Sequence, residues 1–85
     1  MGLTFREEKD RRNTGLPTPA LGARRVRADG SKYDGHTYEV EGVYDGGIIS
    51  LRWLRPDGTL TPRFRDGGPW ILVDLWRWHN QFIES

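Results

Sequence analysis

Apolar and polar residues alternate through the middle third of the chain, in two segments that a pair of glycines separates. The segments are residues 36–45 and 48–54, and the pair is Gly46-Gly47. Successive side chains of a strand point to opposite faces, so this alternation predicts two half-buried strands. Glycine pairs are typical of two-residue hairpin loops, because both positions require positive φ. The pattern therefore predicts a β-hairpin in which Tyr44 lies opposite Ile49.

A second turn signal, Pro56-Asp57-Gly58, leads into a third segment that ends at Phe64. A three-residue loop would place Arg63 on the apolar face, where an unpaired charge is costly. A four-residue loop over residues 55–58 moves the arginines to the outer face, and we prefer it. The inner face is then predicted to contain Tyr38, Val40, Tyr44, Ile49, Leu51, Trp53, Leu60 and Phe64.

Three further segments have their own patterns. Residues 23–28 form a candidate strand that Asp29-Gly30 ends, and the apolar run 70–73 is typical of a buried fifth strand. Asp74 is a suitable N-cap for a helix that starts at Leu75 and continues to about Ile83. The alternative is a single helix with Pro69 as its first residue.

These elements predict a mostly β fold, either a small antiparallel curled sheet or an SH3-like five-stranded barrel, with a short C-terminal helix. The alternative is an α+β fold, a three-stranded meander packed by the C-terminal helix. Residues 13–19 contain two prolines and a glycine, which break a helix. We therefore expect residues 1–22 to form a flexible basic N-terminal arm and residues 23–85 to form a single small β-rich domain.

Composition narrows the classes of protein. The 85 residues include no Cys, so disulfides and thiolate zinc sites are excluded. The formal net charge is only +1, which is weak for a nucleic-acid-binding domain. No apolar run approaches the roughly 20 residues that span a bilayer. The start of the chain is charged rather than apolar, so we expect a cytoplasmic protein that does not enter a membrane.

The sequence contains no recognisable catalytic or metal-binding motif. His36 and His79 have no partner at metal-ligand spacing, and no serine lies in a Gly-x-Ser-x-Gly elbow. The glycine pairs lack the spacing of phosphate-binding loops, and turn formation explains them. We therefore expect no enzymatic activity, no metal and no cofactor.

The candidate binding residues are arginines and tryptophans. Arginine is suited to carboxylates and phosphates, and exposed tryptophan is enriched at the centres of protein interfaces. The predicted partner-binding residues are Arg52, Arg63, Arg65, Trp70, Trp76 and Arg77. A basic track on the first strand consists of Arg24, Arg25 and Arg27.

The function that this pattern favours is a non-enzymatic protein-binding module. We expect a small regulator or inhibitor that occupies the surface of a partner protein, and the size and composition suit an accessory protein of a phage or mobile element. One alternative is a nucleic-acid-binding small β-barrel, and another is a structural protomer of an assembly. The sequence does not specify the oligomeric state.

Overall fold

A computed structural model describes residues 11–63 and 70–84. It contains a curled, half-barrel sheet of five antiparallel strands and a short C-terminal helix. The strands are β1 (Arg24–Arg27), β2 (Thr37–Tyr44), β3 (Ile48–Leu54), β4 (Ile71–Asp74) and β5 (Phe82–Glu84), and the helix is Leu75–Asn80. The order across the sheet is β4-β3-β2-β1-β5. The prediction of a curled antiparallel sheet with a short C-terminal helix is confirmed.

The β2–β3 hairpin differs from its predicted register. Its loop spans residues 45–47, so Tyr44 pairs with Ile48 rather than Ile49. A β-bulge between Val40 and Gly42 then shifts the pairing by one more residue. Each shift of the pairing by one residue moves the side chains of β2 to the opposite face of the sheet. Beyond the bulge the two shifts cancel, so Val40 points into the core as predicted. Between the loop and the bulge only one shift applies, so Tyr44 lies on the outer face and is exposed.

The third predicted strand of the meander does not form in the described residues. Residues 60–63 contribute only an isolated bridge between Leu54 and Leu60. The connection is a five-residue turn over residues 55–59, closed by the hydrogen bond that Arg55 N donates to Thr59 O at 2.8 Å. The predicted four-residue loop is therefore wrong. Phe64 and Arg65 lie outside the described residues.

The strand-then-helix interpretation of the C-terminal segment is confirmed. The Asp74 side chain accepts a hydrogen bond from Arg77 N at 2.9 Å and caps the helix. The helix ends at Asn80 instead of Ile83, because the chain turns at Gln81 and returns to the sheet as β5 beside β1. A three-residue strand has too few positions for a detectable alternation, and Phe82 continues the helical spacing by coincidence.

The core lies between the concave face of the sheet and the helix. It combines aliphatic residues of β2, β3 and β4 with aromatic residues of β2, the helix and β5. The rings of Tyr38 and Phe82 meet edge to face with their centroids 5.8 Å apart. The Trp78 ring packs on Phe82 with a centroid distance of 5.6 Å. The buried hydrophobic residues are Tyr38, Val40, Ile49, Leu51, Val73, Leu75, Trp78 and Phe82.

The described part of the predicted N-terminal arm, residues 11–22, lies against this core. Asn13 is buried and its Oδ1 accepts a hydrogen bond from Trp76 N at 2.9 Å. The Pro17 carbonyl accepts one from His79 Nε2 at 2.7 Å. These contacts place the segment across the first turn and the last turn of the helix.

Leu51→Ala tests the assignment of the concave face. Leu51 has no exposed surface, so its truncation leaves a cavity and should lower the free energy of unfolding by about 2–5 kcal/mol. The measurement is urea unfolding followed by tryptophan fluorescence. Leu72→Ala is the matched control, since Leu72 is 44% exposed, and it should cost about 1 kcal/mol or less. Equal losses for the two variants would contradict the assignment.

Candidate binding site

A pocket of about 280 Å³ opens on the concave side of the sheet. Aromatic rings form most of its wall, and Arg27, Leu51, Thr61 and Ile71 complete it. We call it the aromatic pocket, after its five ring-bearing residues. These are Tyr33, His36, Tyr38, Trp53 and Trp70.

The rings come from four separate parts of the chain. Strand pairing places Tyr38 beside Trp53 on the same face. Tyr33 and His36 belong to the connection between β1 and β2, and Trp70 immediately precedes β4. That connection folds back on β1, because Gly35, at φ +90°, donates its N–H to Arg27 O at 2.8 Å. Glycine tolerates this backbone conformation, which other residues rarely adopt.

Contacts between side chains fix the orientation of the rings. The His36 and Trp53 rings meet edge to face with their centroids 5.1 Å apart. His36 Nδ1 donates a hydrogen bond to Tyr33 O at 2.6 Å. This bond assigns the proton of the neutral imidazole to Nδ1 and leaves Nε2 as an acceptor. The Tyr33 ring lies 5.2 Å from the Arg27 guanidinium and 5.0 Å from the Lys32 ammonium. These contacts restrict the orientations of the Tyr33, His36 and Trp53 rings relative to one another.

Asp29 holds the start of the β1–β2 connection and neutralises Arg27. Its Oδ2 accepts a hydrogen bond from Arg27 Nε at 2.7 Å, and its Oδ1 accepts one from Ser31 N at 3.0 Å. Arg77 Nη2, from the helix, lies 3.6 Å from Asp29 Oδ2. The hydrogen bonds from Ser31, followed by the one from Arg27, hold the pKa of Asp29 well below its usual value. The carboxylate thus links β1, the connection and the helix.

A second pocket, of about 350 Å³, lies next to the first and shares His36 and Trp53 with it. We call it the turn pocket, because Arg55, Pro56 and Gly58 of the turn over residues 55–59 line it. The pair of rings therefore forms a ridge with one pocket on each side.

The predicted partner-binding residues that the structure describes do not all line the aromatic pocket. Arg52 lies opposite Glu39, and its Nε donates to Thr61 O at 2.8 Å. Arg63 is exposed. Of the predicted residues, Trp70 is the one that lines the aromatic pocket as described, and it is 40% exposed.

Trp76 and Arg77 belong to the helix and take part in contacts within the chain. Arg12 stacks on the half-buried Trp76 ring at 4.9 Å. Arg77 Nε donates to Gln81 Oε1 at 2.8 Å. Neither residue lines the aromatic pocket.

The predicted basic track is balanced by contacts within the chain. Arg24 pairs with Glu39 at 3.0 Å and Arg27 pairs with Asp29. Arg25 donates to Trp78 O at 2.8 Å and stacks on the ring of the same tryptophan. These arginines stabilise the sheet and the helix, and their charge is largely compensated.

Sequence patterns missed most of the site. Tyr38 and Trp53 were predicted only as core residues, and Tyr33 and His36 were not assigned to a binding surface. The one local signal was the high density of rings and glycines in residues 30–38. Such a density is typical of a structured connection.

Metal ligands and membrane-spanning helices can be assessed in residues 11–63 and 70–84. Within them, no group of three His, Asp or Glu side chains could hold a metal ion. No helix there has the length and apolar character that a bilayer crossing requires. Comparisons of the chain with protein-family models, with curated proteins and with solved structures found no match.

Asp29→Asn should remove a pH-dependent part of the stability. A carboxylate with a lowered pKa stabilises the folded state above its unfolded pKa of about 3.9, and this contribution is lost as the pH falls through the lower folded value. We therefore expect the variant to be clearly less stable than the wild type at pH 7 and the difference to shrink below about pH 4.

The measurement is the midpoint of urea unfolding at both pH values. Asp45→Asn, in the exposed hairpin loop, is the matched control. A difference between the wild type and Asp29→Asn that stays constant down to pH 2 would contradict the assigned role of Asp29.

Proposed function

We propose that this protein is a non-enzymatic protein-binding module, a small regulator or inhibitor that occupies the surface of a partner protein. The observation that carries the proposal is the aromatic pocket. Tyr and Trp dominate binding energy at interfaces, because each contributes a large apolar area with few rotatable bonds. A concave site lined by such rings and partly open to solvent suits a segment of a partner chain.

The charge distribution supports a protein partner over a nucleic acid. Phosphate recognition requires several cations that are available to the ligand. Arg24 and Arg27 are paired with carboxylates, and Arg25 is held by Trp78. The acidic Glu39 lies on the same face as Arg24 and Arg52. The basic track therefore presents less positive charge to a ligand than its three arginines indicate.

Peptides selected from a random displayed library against the wild-type protein should bind in the aromatic pocket. Trp70→Ala removes an exposed ring from the pocket and should weaken the selected peptides about tenfold or more, since interface tryptophans are frequent hot spots. Isothermal titration calorimetry with synthetic peptides measures the change. Leu72→Ala, two residues further along the chain and similarly exposed, is the matched control and should leave the affinity unchanged.

Thermal unfolding of both variants shows that each is folded before binding is compared. Peptides that bind the wild type and Trp70→Ala equally well would argue against the pocket as the site. A library that yields no peptide above background would argue against the protein-binding function itself.

Nucleic acid should bind weakly or not at all. Fluorescence anisotropy with labelled single-stranded and double-stranded DNA and RNA, at about 20 mM salt where counterion release favours binding most, tests this. We expect no saturation at micromolar protein. Tight binding that weakens steeply between low and physiological salt would instead support the nucleic-acid alternative.

A further inference from the structure

The aromatic pocket and the turn pocket lie side by side, and we call the two together the groove. They share His36 and Trp53, whose rings stand edge to face at 5.1 Å as a ridge between them. A ligand that fills both pockets must cross this ridge and present side chains to each side of it. An extended chain with side chains at regular intervals meets that requirement, whereas a single compact group fills only one pocket.

Polyproline II is the extended conformation that fits aromatic ridges. It has three residues per turn and a rise of about 3.1 Å per residue, so residues on one edge recur about every 9 Å. Its prolines are apolar and stack on aromatic rings, and its preformed backbone loses little entropy on binding. Its carbonyl groups have no internal partner, and Tyr33 and Trp53 carry O–H and N–H donors for them.

The charges that line the groove do not favour a cationic ligand. Aromatic pockets attract lysine-type cations when carboxylates assist. The described lining of the two pockets contains Arg27 and Arg55 but no carboxylate. Arg27 is neutralised by Asp29, whereas no ion pair among the described residues involves Arg55. Asp57 of the same turn interacts electrostatically with Arg55, but its Oδ1 accepts hydrogen bonds from Thr59 N and Oγ1, and it does not line the turn pocket. Because Arg55 is the charged residue in the described lining of the turn pocket, charge complementarity favours an acidic side chain there.

We infer that the groove binds a proline-rich segment of a partner protein in the polyproline II conformation, with an acidic residue beside the prolines that pairs with Arg55. This inference rests on the proposed protein-binding function. It specifies the ligand: the prolines occupy the aromatic pocket and the ridge, and the acidic residue lies at the turn pocket.

The first experiment follows the indole N–H signals of the protein by NMR during titration with a synthetic probe. The probe carries two Pro-Pro pairs followed by Asp-Glu. The signals of Trp53 and Trp70, which line the aromatic pocket, should shift. Those of Trp76 and Trp78, which line neither pocket, should stay in place and serve as internal controls.

Two altered probes separate the contributions. Replacement of the prolines by alanine should weaken binding about tenfold or more, since the ring contacts and the preformed backbone are lost. Replacement of Asp-Glu by Lys-Arg should weaken it severalfold. Arg55→Glu should reverse the preference between the acidic and the basic probe, while Arg11→Glu, which changes the charge equally outside the two pockets, should not.

Each outcome decides a different point. If the alanine probe shifts the same signals with the same affinity, the proline inference is overturned and the protein-binding function stands. If the proline probe shifts Trp76 or Trp78 instead, the groove is not its site and the inference is overturned. If neither the probes nor any library-selected peptide shifts Trp53 or Trp70, the proposed function fails together with the inference.

Discussion

The buried carboxylate of Asp74 is the contact on which the arrangement of the chain depends. It is 2% exposed and lies where β4 becomes the C-terminal helix. One oxygen caps the helix at Arg77 N, and the other accepts from Arg12 Nε at 2.7 Å. A buried carboxylate without partners is strongly destabilising, so the cap and Arg12 together make this burial tolerable. Because the helix carries the chain from β4 to β5, the cap also determines how the two edges of the sheet are connected.

The features that the sequence predicted correctly are those with a local cause. Asp74 was predicted as the N-cap because it directly precedes residues with helical spacing. The inner positions of β3 were predicted from the alternation of apolar and polar residues. The predicted register of the β2–β3 hairpin was wrong because the loop takes three residues instead of two, and because the bulge at Glu41 has no local signature. Glu41 instead accepts a hydrogen bond from Ser50 Oγ at 2.6 Å, across the two strands. The strand β5 was missed because pairing with β1, rather than its own three residues, makes it a strand.

The aromatic pocket could not be predicted for a related reason. Its rings are separated by up to 37 residues, from Tyr33 to Trp70, and only the curl of the sheet brings them together. Alternation assigned Tyr38 and Trp53 to the core; Tyr38 belongs to it, whereas Trp53 is half-buried and packs against it. Residues 60–63 form an isolated bridge rather than the predicted strand, so among residues 11–63 and 70–84 no regular strand pairs with β3 beside Trp53 on the side of the 55–59 turn.

Different charges stabilise the fold and line the turn pocket. Thirteen Lys and Arg residues are almost balanced by twelve Asp and Glu residues in the sequence, and the arginines of β1 hold the sheet, the connection and the helix together. The Arg27–Asp29 pair orders the wall of the aromatic pocket and at the same time cancels the charge there. The turn over residues 55–59 carries one charge of each sign: Arg55 lines the turn pocket, whereas Asp57 accepts hydrogen bonds from Thr59 and does not line it. In the proposed function, the charge that the ligand meets at this pocket is therefore that of Arg55, in a turn that tolerates substitution better than a strand.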